Sequence, residues 1–346
     1  MSTSASTLAS LPFAAGISGL GFYVPERRLL NADLCAFLET SDEWIRSRTG
    51  IAERRVAAPH ETTASIAEAA ARRALDDARL APEQVQMIIV ATCTPDYQFP
   101  STASLLQDRL GATCAAFDLG AACSGWVYAL VTAAQFIQSG AVENVLVVGA
   151  EVMSRVINWS DRATAILFGD GAGAAVVSRA RPGSGVLAFD LGSDGAGGPL
   201  LKLPIAGEPA PLHLPLDGDQ DDNEEGFAFS PRVIFQNGRE VYRFAVNVMG
   251  ESALRALEKC RIAPPEVDLF VPHQANVRII DAAAKRLELG PEKVFVNVDR
   301  YGNTSAASVP IALCEARDQG LVKEGSTVVM VGFGAGLTWA TAVVRW

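Results

Sequence analysis

The sequence is poor in the residues from which metal centres and disulfide frameworks are built. Its 346 residues carry three histidines, His60, His213 and His273, in no HxxxH pair. Its six cysteines, Cys35, Cys93, Cys114, Cys123, Cys260 and Cys314, form no CxxC pair. No structural zinc is expected from such spacing, and the cysteines read as reduced thiols of a cytoplasmic protein. Positive charge is also short, with 29 Lys and Arg against 39 Asp and Glu and a net charge of −10. This excludes nucleic acid as a general partner, since phosphate binding relies on Lys and Arg to neutralise the backbone. An acidic partner would have to dock on a local basic patch. No low-complexity tract is present, and the apolar stretch from Thr327 to Trp346 is interrupted by Gly332, Gly334 and Gly336. Two buried strands, TVVMV and TAVV, joined by a glycine turn are expected there, not a membrane helix. The opening MSTSASTLASLP lacks a basic segment followed by an apolar one, so residues 1–14 read as a flexible tail, not a secretory signal.

What the chain does have is regular alternation. QMIIVATC, AAFDLG and NVLVVGAEV read as strands, separated by helices over FPSTASLLQDRLG and CSGWVYALVTAAQFIQSG. The second half continues with strands DLFVPHQA, KVFVNVD and TVVMVGFG, separated by helices over NVRIIDAAAKRLELG and SAASVPIALCEARDQG. This is a layered α/β pattern. The halves are related in detail: RALDDARLAPEQVQMII from Arg73 aligns without a gap with RALEKCRIAPPEVDLFV from Arg255, at an offset of 182, and at 181 Asp118 meets Asp299. We therefore expect two pseudo-equivalent α/β halves, over 15–185 and 186–346. The segment near 206–232, with PLDGDQDDNEEG, breaks the pattern as an acidic surface insertion. GDGAGAAVV, from Gly169 to Val177, lacks a Walker lysine and leads into a strand-like run, so it is not taken as a phosphate loop.

Loops at corresponding strand ends of such halves converge, and chemistry collects there. Cys123 lies where a strand runs through small residues into a long helix, and a sulfur at a helix N-terminus is favoured as thiolate. An inert buried cysteine is the ordinary alternative, and it is the reading given to the other five. His273 follows an apolar strand in VPHQAN, where it could equally be structural. Asn303, in RYGNTS, could be a turn asparagine bonded to nearby backbone.

The segments TSDEWIRSRTGI, AACSGW, VPHQANVRII, DRYGNTSAASVP and GFGAGLTW resemble the signature segments of β-ketoacyl-acyl carrier protein synthase III, a thiolase-like condensing enzyme family, and the match runs from about residue 16 to the end. The resemblance implies a five-layered αβαβα core and a catalytic set of Cys123, His273 and Asn303. Cys123 would take an acyl group from an acyl-coenzyme A. Malonyl-acyl carrier protein would then lose carbon dioxide, His273 and Asn303 would stabilise the enolate, and the carbanion would attack the acyl-Cys123 to initiate a fatty acid. The Cys123 and Ala335 N–H groups would form the oxyanion hole. By position, Trp44, Arg48, Arg162 and Asn276 correspond to coenzyme A contacts. Arg243, Arg278, Lys285 and Arg286 correspond to the carrier-protein docking patch, and Phe99 to a residue that reaches across a homodimer interface to limit the acyl pocket. Solvated helix faces, and a core phenylalanine, are the plain alternatives. No cofactor and no metal is implied. Related acyltransferases or condensing enzymes of secondary metabolism, and a non-catalytic partner subunit, are the competing functions.

Overall fold

The computed structural model describes residues 13–204 and 233–346. The tail to residue 12 and the whole of the expected acidic insertion near 206–232 lie outside the described residues. Nine long strands carry the architecture: β1 (Ala14–Tyr23), β2 (Met87–Ala91), β3 (Ala115–Leu119), β4 (Asn144–Glu151), β5 (Gly171–Ala180), β6 (Gly185–Ser193), β7 (Leu269–Pro272), β8 (Thr327–Gly334) and β9 (Thr338–Arg345). The helices that matter here are α1 (Asp42–Thr49), α2 (Thr63–Ala78), α3 (Thr102–Leu110), α4 (Gly125–Gln138), α5 (Gly238–Cys260), α6 (Val277–Arg286) and α7 (Ser308–Asp318).

The first sheet has the order β1-β5-β4-β2-β3 and the second β6-β9-β8-β7. Within the first, β2, β3 and β4 are mutually parallel; β7 and β8 are parallel in the second. The two orders superimpose element for element, with an isolated bridge from Phe270 to Val294 standing where a fifth strand of the second sheet would be. The run GDGAGAAVV supplies β5, and the glycine-interrupted C-terminal stretch supplies the antiparallel pair β8 and β9, as the sequence predicts.

Strand alternation sets the layers. Ile88, Val90, Leu146 and Val148 face outward onto α2 and α3. Their neighbours Ile89, Ala91, Val145 and Val147 face inward onto α4 and α7, which also receive Leu269, Val271, Val328 and Met330 of the second sheet. The far face of that sheet, through Phe270, Val329 and Val331, packs on α5 and α6. Helices, sheet, helices, sheet, helices make the five-layered core, with α4 and α7 apolar enough to be buried between two sheets.

The internal repeat reproduces local stops as well as elements. Helix α2 begins where the Thr62 hydroxyl accepts the Ser65 N–H and ends at Arg79 with φ +54°; α5 is capped by the Asn237 side chain and ends at Arg261 with φ +57°. The match of Asp118 to Asp299 fails, however. Asp118 accepts the N–H groups of Thr102 and Ala103 at the start of α3, both at 2.7 Å, whereas Asp299 sits on the short helix Val298–Tyr301.

That short helix overturns a second expectation, the strand KVFVNVD. Buried Gln274 accepts the N–H groups of Asn297 (2.9 Å) and Val298 (3.2 Å) and donates to the carbonyls of Pro272 and Phe295. One side chain thus takes backbone groups that a strand would offer to its neighbour, and pairing shrinks to the bridge at Val294.

Candidate active site

Two of the functional side chains expected from the sequence, Cys123 and His273, follow the carboxyl ends of parallel strands, whereas Asn303, expected after a strand, follows the short helix Val298–Tyr301. After β3 the chain turns through Ala122, whose φ of +47° is rare for a residue with a side chain, into the single 3-10 turn Ala122–Ser124 that precedes α4. Cys123 lies in that turn. Ser124 Oγ holds it, donating to the Ala121 carbonyl (2.7 Å) and pairing with Thr338 Oγ1 (2.8 Å). The end of β8 approaches so closely that a Cβ on Gly334 would lie 2.6 Å from the Cys123 nitrogen, so a glycine is required there. Among the described residues, neither the Cys123 nor the Ala335 N–H meets a backbone acceptor.

The electrostatics at the sulfur differ from the sequence expectation of a thiolate. Burial pushes the Cys123 thiol up to about 12; the Ser305 hydroxyl opposes this and the Glu151 charge adds to it. With desolvation the largest of these effects, the thiol is favoured over the thiolate. Its partner is Ser305 Oγ at 3.4 Å, which in turn donates to Glu151 Oε1 at 2.9 Å. Glu151, the last residue of β4, is fully buried. It also accepts the Cys93 N–H and the Thr92 and Thr94 hydroxyls.

His273 follows β7 directly and is only 1% exposed. Its Nδ1 pairs with Ser308 Oγ at 2.5 Å, while Nε2 is buried without a partner. Among the described residues Nδ1 is the acceptor within reach of the Ser308 hydroxyl proton, and with that proton donated to Nδ1 the imidazole proton is assigned to Nε2. Burial lowers the imidazole pKa to about 3, which keeps the ring neutral. Asn303 Oδ1 accepts the Ser305 N–H at 2.8 Å. The turn-asparagine alternative is therefore realised for the oxygen, and among the described residues the amide Nδ2 has no protein acceptor. Cys123, His273, Asn303, Ser305 and Ala335 all line one cavity of about 220 Å³, with apolar walls from Val241, Ile279 and Phe333.

Cys93 lines the same cavity, and burial drives its thiol well above the usual range, which keeps it protonated. Cys35, read as buried, is exposed. Among the described residues no group of three or more His, Cys, Asp or Glu could hold a metal ion.

The remaining candidates fall around this cavity and beyond it. Trp44 on α1 carries the guanidinium of Arg162 at 4.9 Å and that of Arg48 at 5.9 Å from its ring centroid. Neither arginine is ion-paired among the described residues. Asn276 lines the cavity, but its side chain caps α6 through the Arg278 N–H and donates to the Arg48 carbonyl. Arg243 on α5, paired with Glu240, and Arg278, Lys285 and Arg286 on α6 are exposed on adjoining helices; Arg278 lies over Tyr242 at 5.6 Å. Phe99 is 85% exposed, which removes the core alternative, and it does not line the cavity of its own chain.

Sequence reasoning missed Glu151, Ser305 and Ser308. A glutamate closing the apolar strand NVLVVGAEV was a signal for the first. For the second, the repeat itself carried one: Ser305 opens the 3-10 turn Ser305–Ala307 before α7 with φ +50°, the place Ala122 holds before α4.

Comparison with known proteins bears on the whole chain. The family described as 3-oxoacyl-[acyl-carrier-protein] synthase III matches residues 117–195, and its C-terminal counterpart matches 257–346. The chain is 52% identical over 334 residues to the β-ketoacyl-[acyl-carrier-protein] synthase III of Caldanaerobacter subterraneus subsp. tengcongensis, covering 96% of this chain and 98% of that one. Crystal structures of the synthase III from Thermus thermophilus (TM-score 0.87, 52% identity, 96% and 99% covered) and Aquifex aeolicus VF5 (0.87, 46%, 96% and 100%) share the fold. So does the priming β-ketosynthase of the R1128 polyketide pathway, at TM-score 0.85 and 35% identity, with 96% of each chain covered.

Proposed function

This chain belongs to the β-ketoacyl-acyl carrier protein synthase III family of condensing acyltransferases, and from that premise we propose how its residues divide the reaction. Cys123 accepts the acyl group of a short acyl-coenzyme A, acetyl or branched, and coenzyme A leaves. Malonyl-acyl carrier protein then loses carbon dioxide, and the carbanion attacks the acyl-Cys123 carbonyl to give a β-ketoacyl product that starts a fatty acid. The observation that carries this reading is a pair of neutral donors facing one cavity with the sulfur: the unpartnered Nε2–H of His273 and the Asn303 amide, whose oxygen is already engaged. Neutral donors suit a developing enolate, because they stabilise charge without first binding it. The Cys123 and Ala335 N–H groups serve the tetrahedral oxyanion in the same way.

Trp44, Arg48 and Arg162 hold the adenine end of coenzyme A through stacking and cation–π attraction. Asn276 borders the pantetheine path, where its backbone-bound side chain acts chiefly by shaping the wall. Arg243, Arg278, Lys285 and Arg286 receive the acidic carrier protein. The enzyme works in the cytoplasm as a homodimer across the β3 edge, with Phe99 limiting the partner's acyl pocket. In support, β3 pairs on one side only among the described residues, and Phe99, Tyr97 and Phe117 are exposed beside it. The halves meet near residue 185, between β5 and β6.

The test is malonyl-acyl carrier protein consumption and carbon dioxide release with acetyl-CoA. Cys123→Ser is expected to abolish covalent acyl labelling, whereas Asn303→Ala keeps the label and loses condensation. Acyl-CoA cleavage without a β-ketoacyl product would sink the proposal. Likeness to the R1128 priming enzyme favours a second reading, priming of a polyketide, and a mass-spectrometric survey of the acyl-CoAs that load Cys123 separates the two by primer preference.

A further inference from the structure

A buried carboxylate wired to the sulfur has no part in the division of labour above. We propose that Glu151 and Ser305 form a proton relay that takes the thiol proton of Cys123 during acyl loading and returns it when the β-ketoacyl product is released. The proposal rests on Cys123 being the acyl acceptor.

The geometry gives the relay a direction. An ionised carboxylate can only accept, so the Ser305 proton points to Glu151 Oε1 (2.9 Å), which leaves Ser305 Oγ free to accept from Cys123 Sγ (3.4 Å). Ser305 owes this position to its left-handed backbone and to the bond from its N–H to Asn303 Oδ1. Glu151 is surrounded by neutral donors: the Cys93 N–H and the Thr94 and Thr92 hydroxyls. No cation is paired with it among the described residues. Asp170, which precedes the Gly171 opposite Glu151 in the sheet, spends its carboxylate on the N–H groups of Ala57 and Ser154 and on Ser154 Oγ. The other titratable groups at hand are the Cys93 thiol and, across the cavity, neutral His273. A carboxylate held by hydrogen bonds alone can be ionised at rest yet take a proton without breaking an ion pair. Burial raises the Cys123 thiol and the Glu151 carboxyl in the same direction.

The proton count closes. In loading, Sγ–H gives its proton to Ser305 Oγ as the Ser305 proton passes to Glu151. The S–C bond to the acyl carbon then forms, and the bond to the coenzyme A sulfur breaks, so that coenzyme A leaves as a thiolate. In condensation, the malonyl carboxylate departs as carbon dioxide and its electron pair forms the new C–C bond. The Cys123–acyl bond breaks, and the resulting thiolate recovers its proton from Glu151 through Ser305. A protonated Glu151 also means that the enolate forms without a carboxylate charge behind it, which is electrostatically the favourable order.

The decisive experiment is single-turnover loading of Cys123 from acetyl-CoA, followed by intact-protein mass spectrometry between pH 6 and 9, for the wild type, Glu151→Gln and Ser305→Gly. Glycine accepts φ +50°, so Ser305→Gly removes the hydroxyl without straining the turn, and it decides the question alone if Glu151→Gln proves unfolded. Both variants are expected to load on the order of 10²-fold slower at pH 7, the usual weight of a positioned base. They should recover about tenfold per pH unit as hydroxide replaces the relay, with KM for acetyl-CoA unchanged. Loading at the wild-type rate, or a loss that does not vary with pH, would overturn the relay. A wild-type enzyme that never loads Cys123 would overturn the proposed function and the relay with it.

Discussion

Cys123 and His273 are shaped by the same force acting on groups of opposite charge type. Burial disfavours the thiolate and the imidazolium alike, so the sulfur rests protonated and the ring neutral. For His273 this has a consequence for stability. The unfolded chain takes up a proton near 6.5, and the folded ring refuses it until about 3. The contribution is therefore fully present above 6.5 and declines by up to about 1.4 kcal/mol per pH unit below it. Urea unfolding at pH 7 and at pH 4.5 should show this slope in the wild type and a shallower one in His273→Gln; parallel slopes would count against the neutral ring. Cys123 and Asn303 were legible as residues of interest from their turns. Their protonation and free valences were not, because these depend on which atoms surround them.

At the scale of the element, most strands and helices were readable, since periodicity and caps are local. The repeated RLAP and RIAP stops are a clear case, each arginine ending its helix in the left-handed region. KVFVNVD was misread for a reason that composition hides: its β-branched pattern suits a strand, but Gln274, 23 and 24 residues earlier, takes its N–H groups. Gln274→Leu would leave the buried N–H groups of Asn297 and Val298 unpaired, at about 1–3 kcal/mol each. We expect a lowered thermal midpoint together with weakened condensation, since Asn303 follows this segment. An unchanged midpoint would show that the segment finds other partners. Gly334→Val should slow acyl loading far more than it destabilises the fold, because the added side chain meets the Cys123 backbone and not the core.

The whole molecule turns a net charge of −10 into local exceptions. Exchange of charge in Arg286→Glu is predicted to raise KM for malonyl-acyl carrier protein and flatten its salt dependence, leaving acyl-CoA loading untouched, as rim charges govern encounter. Equal salt dependence in both proteins would move the docking surface elsewhere. If the proposed homodimer holds, Phe99→Ala should broaden the loaded acyl groups toward longer chains, read by mass spectrometry of acyl-Cys123; an unchanged range would place Phe99 outside the acyl pocket. Taken by itself, the sequence determined the alternation of elements, the duplication, the family and the residues at the strand ends, because each is written in local spacing and in motifs of adjacent residues. The tertiary structure decided that the half-buried Cys123 favours its thiol form, that His273 is neutral with Nε2 unpartnered, and that Glu151 and Ser305 stand behind the sulfur. Those outcomes arise only when two sheets close on α4 and α7, shutting out water and joining atoms of residues 154 and 182 positions apart.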